Sequence, residues 1–577
     1  MTLSQRFKSL LPSPVIYQKA DYIAMVGLSG LFSFFMVFGE SFYKLNSWDL
    51  IFGSFERMVI SSVKGIFYFL FFIFCFYIGW HFLVYPLAAS KPVKEPKLKV
   101  LKLFDRYPFQ FAWLSIFLLY IPYFIAFYPG MMMGDSIDII AQGFNLPDHT
   151  SNYLNLIDPT VTLNQHHSVA HTLLLHFCLV FGHGISGSWN VGLYTYSMLQ
   201  ACIMISAIAF AVYELKKWKV PLMWRCIILV YFTITPRIQT FMFLCTKDSI
   251  YSAVVLVFIL CFYRLNVYNG FVSVKYKFLF LVALLAVLLF RNDSKYLILI
   301  VLISASYLKK GLRKMLVMVS MAILVGLYCY TSILLPTLKI SPGSRREMLS
   351  IPFQQTARYL RDVPEEEITD EEKSAISNIL DYDKIKMGYD PELSDAVKST
   401  FNENATKQDM SRYFKVWFRM LCKHPGIYIQ ATMNNVYDYF YPLGRLAGNW
   451  SAETSSQWFS LAAKWYAKLG INFDFNYSSD TKIFRDLYEL YRVMFRIFPF
   501  SLLETPSFYT WICMICFTAA IKDKRHNLTC LWMSLIVTLF VCIAGPCNGW
   551  YFRYLFPVVV CLPFACAIQC TSAGAFQ

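Results

Sequence analysis

Several acidic, basic and imidazole side chains of this chain stand at the ends of long apolar runs, where a charged group is costly unless it is paired or functional. Asp135 lies in Tyr128-Pro129-Gly130-Met131-Met132-Met133-Gly134-Asp135-Ser136, directly behind an apolar run over about 111–127, and Asp138 follows one helical turn later. A carboxylate held there can take the proton of an attacking hydroxyl. The competing readings are a helix cap for Asp135 and a solvated helix face for Asp138. Six of the nine histidines fall between His149 and His183. Of these, the adjacent His166 and His167 suit contact with a phosphate or a substrate. His167 and His171 share a helix face at metal-compatible spacing, but two ligands do not make a site. Lys247 and Asp248 follow another apolar run. Lys247 can meet a phosphate as a point charge with Asp248 holding it, or be a snorkelling lysine beside a capping aspartate. Arg291-Asn292-Asp293 interrupts two apolar runs, either as a polar turn or as a binding element. Arg553 lies inside the run that begins at Trp550, and phosphate pairing is the reading that accounts for it.

The elements that carry these residues are membrane helices. The 577 residues are 57% hydrophobic, 18% aromatic and 15% charged, and apolar runs of about 18 residues or more recur, each long enough for a ~30 Å hydrocarbon core. Spanning helices are expected near 22–39, 60–85, 109–128, 189–213, 222–240, 249–265, 275–290, 295–309, 314–336, 506–521, 528–545 and 550–569. No signal peptide is expected, because residues 1–20 carry Arg6, Lys8 and Lys19 and no apolar core.

The net charge of +16 reads as topology. Basic residues cluster in the loops 91–102, 216–219, 309–314 and 522–525, which the positive-inside rule assigns to the cytoplasm. Nucleic-acid binding, which needs a basic surface on a soluble domain, is excluded on this ground. The apolar run over about 169–181 breaks this pattern if it crosses; treated as interfacial or re-entrant, it leaves every basic loop and both termini inside. The stretches 129–188, 241–248, 291–295, 337–505 and 546–550 then all lie outside. One membrane face thereby collects Asp135, Asp138, His166, His167, Lys247, Asp248, Arg291, Asn292, Asp293 and Arg553.

Residues 337–505 form an extramembrane region of helical character, in which 456–469 and 484–499 are amphipathic and suited to the membrane surface. Of the sixteen cysteines most lie in apolar runs and only Cys422 lies in that region, so they read as reduced, buried groups. Internal repeats and low-complexity tracts are not expected.

An outer loop opening on Asp135, a helix led by His166-His167 and a late helix opening Tyr551-Phe552-Arg553-Tyr554-Leu555-Phe556-Pro557 together resemble the GT-C superfamily of polyprenyl-phosphate-dependent glycosyltransferases. The Tyr-Pro-Gly…Asp-Ser, His-His, Lys-Asp and Arg-Asn sequence is most similar to a bacterial membrane family within it. The chain departs from the pattern at Ser168, where a proline commonly follows the histidine pair, and in lacking an immediate Asp-Glu dyad. The resemblance implies an all-α polytopic bacterial cell-membrane protein of about twelve spans plus an interfacial helix. Its implied parts are an N-terminal module (1–336) with the catalytic loop 129–188, an extracytoplasmic helical domain (337–505) and C-terminal spans (506–577). It implies transfer of a sugar from a polyprenyl-phosphate donor to a cell-envelope glycan, lipid or protein, with Asp135 as general base and Asp138 beside it. His166, His167, Lys247, Asp248, Arg291, Asn292 and Arg553 would hold donor and phosphate; no cofactor is expected, with a divalent metal as the alternative. A transporter or flippase, or a polymerase or ligase of lipid-linked saccharides, stands as the alternative. Transport would put ionisable groups near the midplane, on broken helices in corresponding halves.

Overall fold

The structure is a computed structural model that describes residues 17–84, 96–150, 154, 163–446, 451–544 and 552–571. It is an all-helical membrane protein: among the described residues the only β pairings are two isolated bridges, Met131–Leu244 and Asn164–Ser341. Each of the twelve apolar windows contains helix, and among the described residues eight helices are long and apolar enough to cross a membrane. One of these eight is Val169–Ser186, which the charge pattern had kept out of the count. Prolines account for two interrupted windows. Residues 109–128 divide into Pro108–Leu119 and Ile121–Ala126 before Pro122, while Leu222–Ile234 and Pro236–Phe243 meet at an angle of 61°. Proline has no N–H to continue the ladder and its ring clashes with the preceding turn. At the second break the Phe232 carbonyl, four residues before Pro236 and left without its helical donor, accepts from the Tyr120 hydroxyl, which a backbone acceptor in an apolar setting requires.

Contacts sort the bundle into two ends. At one end Glu214 of the Trp189–Lys217 helix meets Arg264 of Lys247–Val267 at 2.5 Å and Tyr276 of Val274–Phe290 at 2.5 Å. Asp105 takes Arg225 at 2.5 Å there and also holds Lys216. Lys309 donates to Asn527 at 2.9 Å, and Lys522 pairs with Asp21. The described parts of all four basic loops therefore share one end; residues 85–95 lie outside the described residues. The first turns of Lys247–Val267 and Ser294–Leu308 and the start of Phe552–Thr571 lie at the other end, where Arg291 and Arg553 sit.

The Val169–Ser186 helix starts and finishes at this second end. The Ser168 hydroxyl donates to the Leu289 carbonyl at 2.6 Å, thirteen residues along the same helix from Tyr276. Gly187, in the left-handed region at φ 72°, then turns the chain into Trp189–Lys217. The two helices touch at Gly182 and Gly192, where a Cβ on either would fall within 2.5 Å of backbone. Length alone would let Val169–Ser186 span; its contacts make it a slanted helix over one end.

The region after Thr337 has two parts. Ser350–Asp362, Asp370–Ser377, Lys407–Lys423 and Pro425–Val436 enclose their own core around Phe353, Tyr359, Tyr413 and Tyr428. Arg358 and Asn434 fix this part to the end of the first span by donating to the Asn46 carbonyl, each at 2.9 Å. Ala452–Ala467 and Lys482–Met494 instead join the core of the bundle. Lys482–Met494 exposes Ile483, Leu487, Leu490 and Met494 along one face, the amphipathic pattern expected of a helix resting on a membrane surface.

Candidate functional site

The loop bearing Asp135 is fixed from both sides. Met131 donates to the Phe243 carbonyl and its own carbonyl accepts from Cys245, both at 2.8 Å, so residues 130–132 lie alongside the segment that leads into Lys247. The Ser136 hydroxyl donates to the Cys245 carbonyl at 2.8 Å and receives the Met133 N–H. Gly130 adopts φ 149°, and a Cβ there would collide with the Ser197 hydroxyl, so the position needs glycine. Ala452–Ala467 roofs the loop: Ser455 accepts from Met132 at 2.8 Å, and Tyr466 donates to the Ile137 carbonyl at 2.6 Å. Trp458 packs on Gly134. This pinning brings Asp135 and Lys247 together although more than a hundred residues separate them.

Asp135 does not cap its helix. Met133 is the first flanking residue and Ser136 satisfies its N–H, which leaves the Asp135 carboxylate to face Arg553 at 2.8 Å. Arg553 is buried, with a side chain 7% exposed, whereas the Asp135 side chain is 28% exposed. Arg553 also donates to the Tyr554 hydroxyl at 3.0 Å. Arg291 is held by Asp293 at 2.8 Å and faces the buried Asp248 at 3.6 Å. The two guanidiniums lie over the Tyr554 ring, each 4.8 Å from its centre, an attractive cation–ring geometry. Lys247 forms no ion pair or side-chain hydrogen bond among the described residues, although its ammonium feels Asp135, Asp248, Arg291 and Arg553. Three cations thus face three carboxylates, and an incoming anion has to compete with one of the latter.

The histidine pair completes the cluster. Asn164 pairs with Ser341, and the Gln165 N–H donates to the Ser341 carbonyl at 2.8 Å. Asn292 donates to the Gln165 carbonyl at 2.6 Å. Asn292, expected as a ligand-binding group, thus uses one amide N–H to hold the histidine loop. His167 is only 2% exposed, and neither ring nitrogen has a hydrogen-bond partner. Burial, with His166, Lys247 and Arg553 adding to it, pushes the His167 imidazole well below its usual range, so it is neutral. Burial and Lys247 push His166 down to about 4 against the pull of Glu347. Burial opposes ionisation of Asp135, but the Arg553 guanidinium and then the Lys247 ammonium outweigh it and hold its carboxyl well below the ordinary carboxylate range.

Asp138 turns away from this group. It accepts from the His149 N–H at 3.1 Å, and burial together with Asp148 raises its carboxyl to about 7. His171 is also removed from any pairing with His167, because its ring meets the Tyr196 hydroxyl at 2.6 Å. Among the described residues no group of three or more His, Cys, Asp or Glu could hold a metal ion. Among the described residues no disulfide joins two cysteines. The structure adds Tyr554, between the two arginines, and Thr246, whose buried hydroxyl has no partner at the start of the Lys247 helix. Tyr554 was open to notice as the neighbour of Arg553; nothing in the sequence singled out Thr246.

Comparison with curated proteins and with solved structures gives no match. A family model described as "Family of unknown function (DUF6020)" matches residues 147–574, a stretch that contains the histidine pair, Lys247, Arg291 and Arg553 but begins after Asp135 and Asp138. Since that match spans well over half of its length, the chain, itself a helical membrane protein, belongs to this family of unknown function.

Proposed function

We propose that the protein is an integral membrane glycosyltransferase that moves a sugar from a polyprenyl-phosphate donor to an extracytoplasmic acceptor in the bacterial envelope. The observation that carries this reading is the convergence of Asp135, His167, Lys247, Arg291 and Arg553 at the end of the bundle opposite the basic loops. That end would face outward by the positive-inside rule, with both termini in the cytoplasm. Cations at the mouth of an apolar bundle suit a lipid whose phosphate stays at the surface while its chain lies in the hydrocarbon. They also suit stabilisation of a departing phosphate. Asp135 serves as the general base for the acceptor hydroxyl. Asp138, turned toward His149, lies to one side of the phosphate.

The sorting favours transfer over transport, because the cluster gathers at one end of the bundle and not at its middle. Mass spectrometry of envelope glycans from cells with and without the gene tests the reading. One sugar substitution should disappear in the deletion and return with the wild-type gene but not with Asp135→Asn. Identical glycans in both cell types contradict it.

A further inference from the structure

The Asp135–Arg553 contact and the empty hydrogen-bonding capacity of His167 belong to one device. We infer that the donor's phosphate takes Arg553 from Asp135, and that His167 then receives the released carboxylate as the group that positions the base. This rests on the glycosyl-transfer reading and adds to it the order in which the site is armed.

Arg553 is the most deeply placed cation of the cluster and gives one nitrogen to Asp135 at 2.8 Å. A carboxylate bound in this way is a poor base, since its lone pairs and charge are committed to the arginine. Phosphate is the stronger claimant, because its several oxygens match the guanidinium fork, and the unpaired Lys247 ammonium lies beside it as a second contact. His167 is buried beside Asp135 with neither nitrogen hydrogen-bonded. Buried polar atoms without partners are rare enough to need a cause, and a carboxylate that arrives only with substrate supplies one. As a neutral imidazole, His167 has one N–H to donate and so orients Asp135 without removing its charge.

With Asp135 released, the acceptor oxygen bonds to the anomeric carbon while the bond from that carbon to the phosphate oxygen breaks. The electron pair leaves with the phosphate, held by Arg553 and Lys247, and the acceptor's proton passes to Asp135. Without donor, the base stays paired and an adventitious hydroxyl or water meets no free carboxylate.

The test is binding of a long-chain polyprenyl phosphate, without sugar or acceptor, to the full chain in lipid nanodiscs. Two anions that compete for one cation are coupled, and coupling of this kind is on the order of tenfold. Asp135→Asn should therefore bind the lipid roughly tenfold tighter than wild type, and Arg553→Ala should bind it more weakly. A structural ion pair without exchange would leave Asp135→Asn with equal or weaker affinity, and that result overturns the inference. If wild type and Asp135→Asn both fail to bind the lipid, the donor class falls and takes the inference with it. If both bind equally, only the exchange falls. For His167, single-turnover rate is read beside affinity: His167→Leu should slow turnover with lipid affinity unchanged, and His167→Gln, which keeps a donor, should restore most of it. Equal turnover in His167→Leu and wild type shows that the released carboxylate does not go to His167.

Discussion

Asp138 and Asp135 share one turn of helix yet differ in titration, and replacing Asp138 measures that difference. Burial and the neighbouring Asp148 raise the Asp138 carboxyl from 3.8 to about 7 in the folded protein, with a side chain 16% exposed. A carboxyl raised on folding contributes stability that is fully present below its unfolded value and is lost as pH rises through the folded one. Across the window from pH 4 to pH 7 that loss amounts to about 4 kcal/mol at most, and about 2 kcal/mol if Asp148 relaxes. Asp138→Asn keeps an oxygen to accept the His149 N–H and removes the titration. The variant should match wild type near pH 4.5 and be the more stable protein by a few kcal/mol near pH 8. Thermal melts in nanodiscs from pH 4.5 to 8.5 read the difference between the two proteins at each pH, which cancels the titration of groups not coupled to Asp138. A difference that is flat with pH, or a variant less stable at pH 8, refutes the assignment of a buried, repelled carboxyl.

Gly130→Ala should lower turnover by about 10²-fold, because displacing a positioned base by about 1 Å costs that order; the φ of 149° and the Ser197 hydroxyl force such a shift. A wild-type single-turnover rate in that variant contradicts the positioning of Asp135 by the loop. Reporters fused after Asp148 and after Gly187 should both read as extracytoplasmic, and one after Lys217 as cytoplasmic; an internal Gly187 signal breaks the placement of Val169–Ser186. Activity should persist in EDTA, since protein cations meet the departing phosphate; complete loss restored by a divalent ion would give the reaction a metal instead.

Much of this fold is written in composition. Long apolar runs can be buried only as helices in a membrane, so each expected window contains helix among its described residues, and the lysines of 216–219 and 309–314 mark one end of the bundle. The breaks at Pro122 and Pro236 were legible too, but treating each window as one span passed over them. Length and hydropathy do not separate Val169–Ser186 from a span; only its contacts with Leu289 and Gly192 do. For the candidate site, charge in apolar surroundings singles out Asp135, Lys247, Arg291 and Arg553, which the structure brings to one end of the bundle. Which of them pair is not written there, because pairing depends on backbone bonds such as those of Met131 to Phe243 and Cys245, which join distant segments and leave no mark on local residue types. Asn292 shows the same limit: its amide is polar and well placed, yet it holds the Gln165 carbonyl. Tyr554 stands in the Tyr551–Pro557 motif as one aromatic among several, and only its place between two guanidiniums gives it a further part.

The central claim is that Asp135 takes the acceptor's proton, and the single-turnover rate of Asp135→Asn with a polyprenyl-phosphate sugar tests it most directly. Asparagine keeps the size and hydrogen-bonding shape of the side chain and caps a helix about as well as aspartate, but it cannot act as a base. Loss of a general base lowers the rate by about 10²–10⁴-fold, so the variant should fall by that order while it still binds the donor. Arg553→Ala, measured beside it, should lose donor affinity first. A turnover rate in Asp135→Asn near that of wild type, with donor bound, would contradict the account.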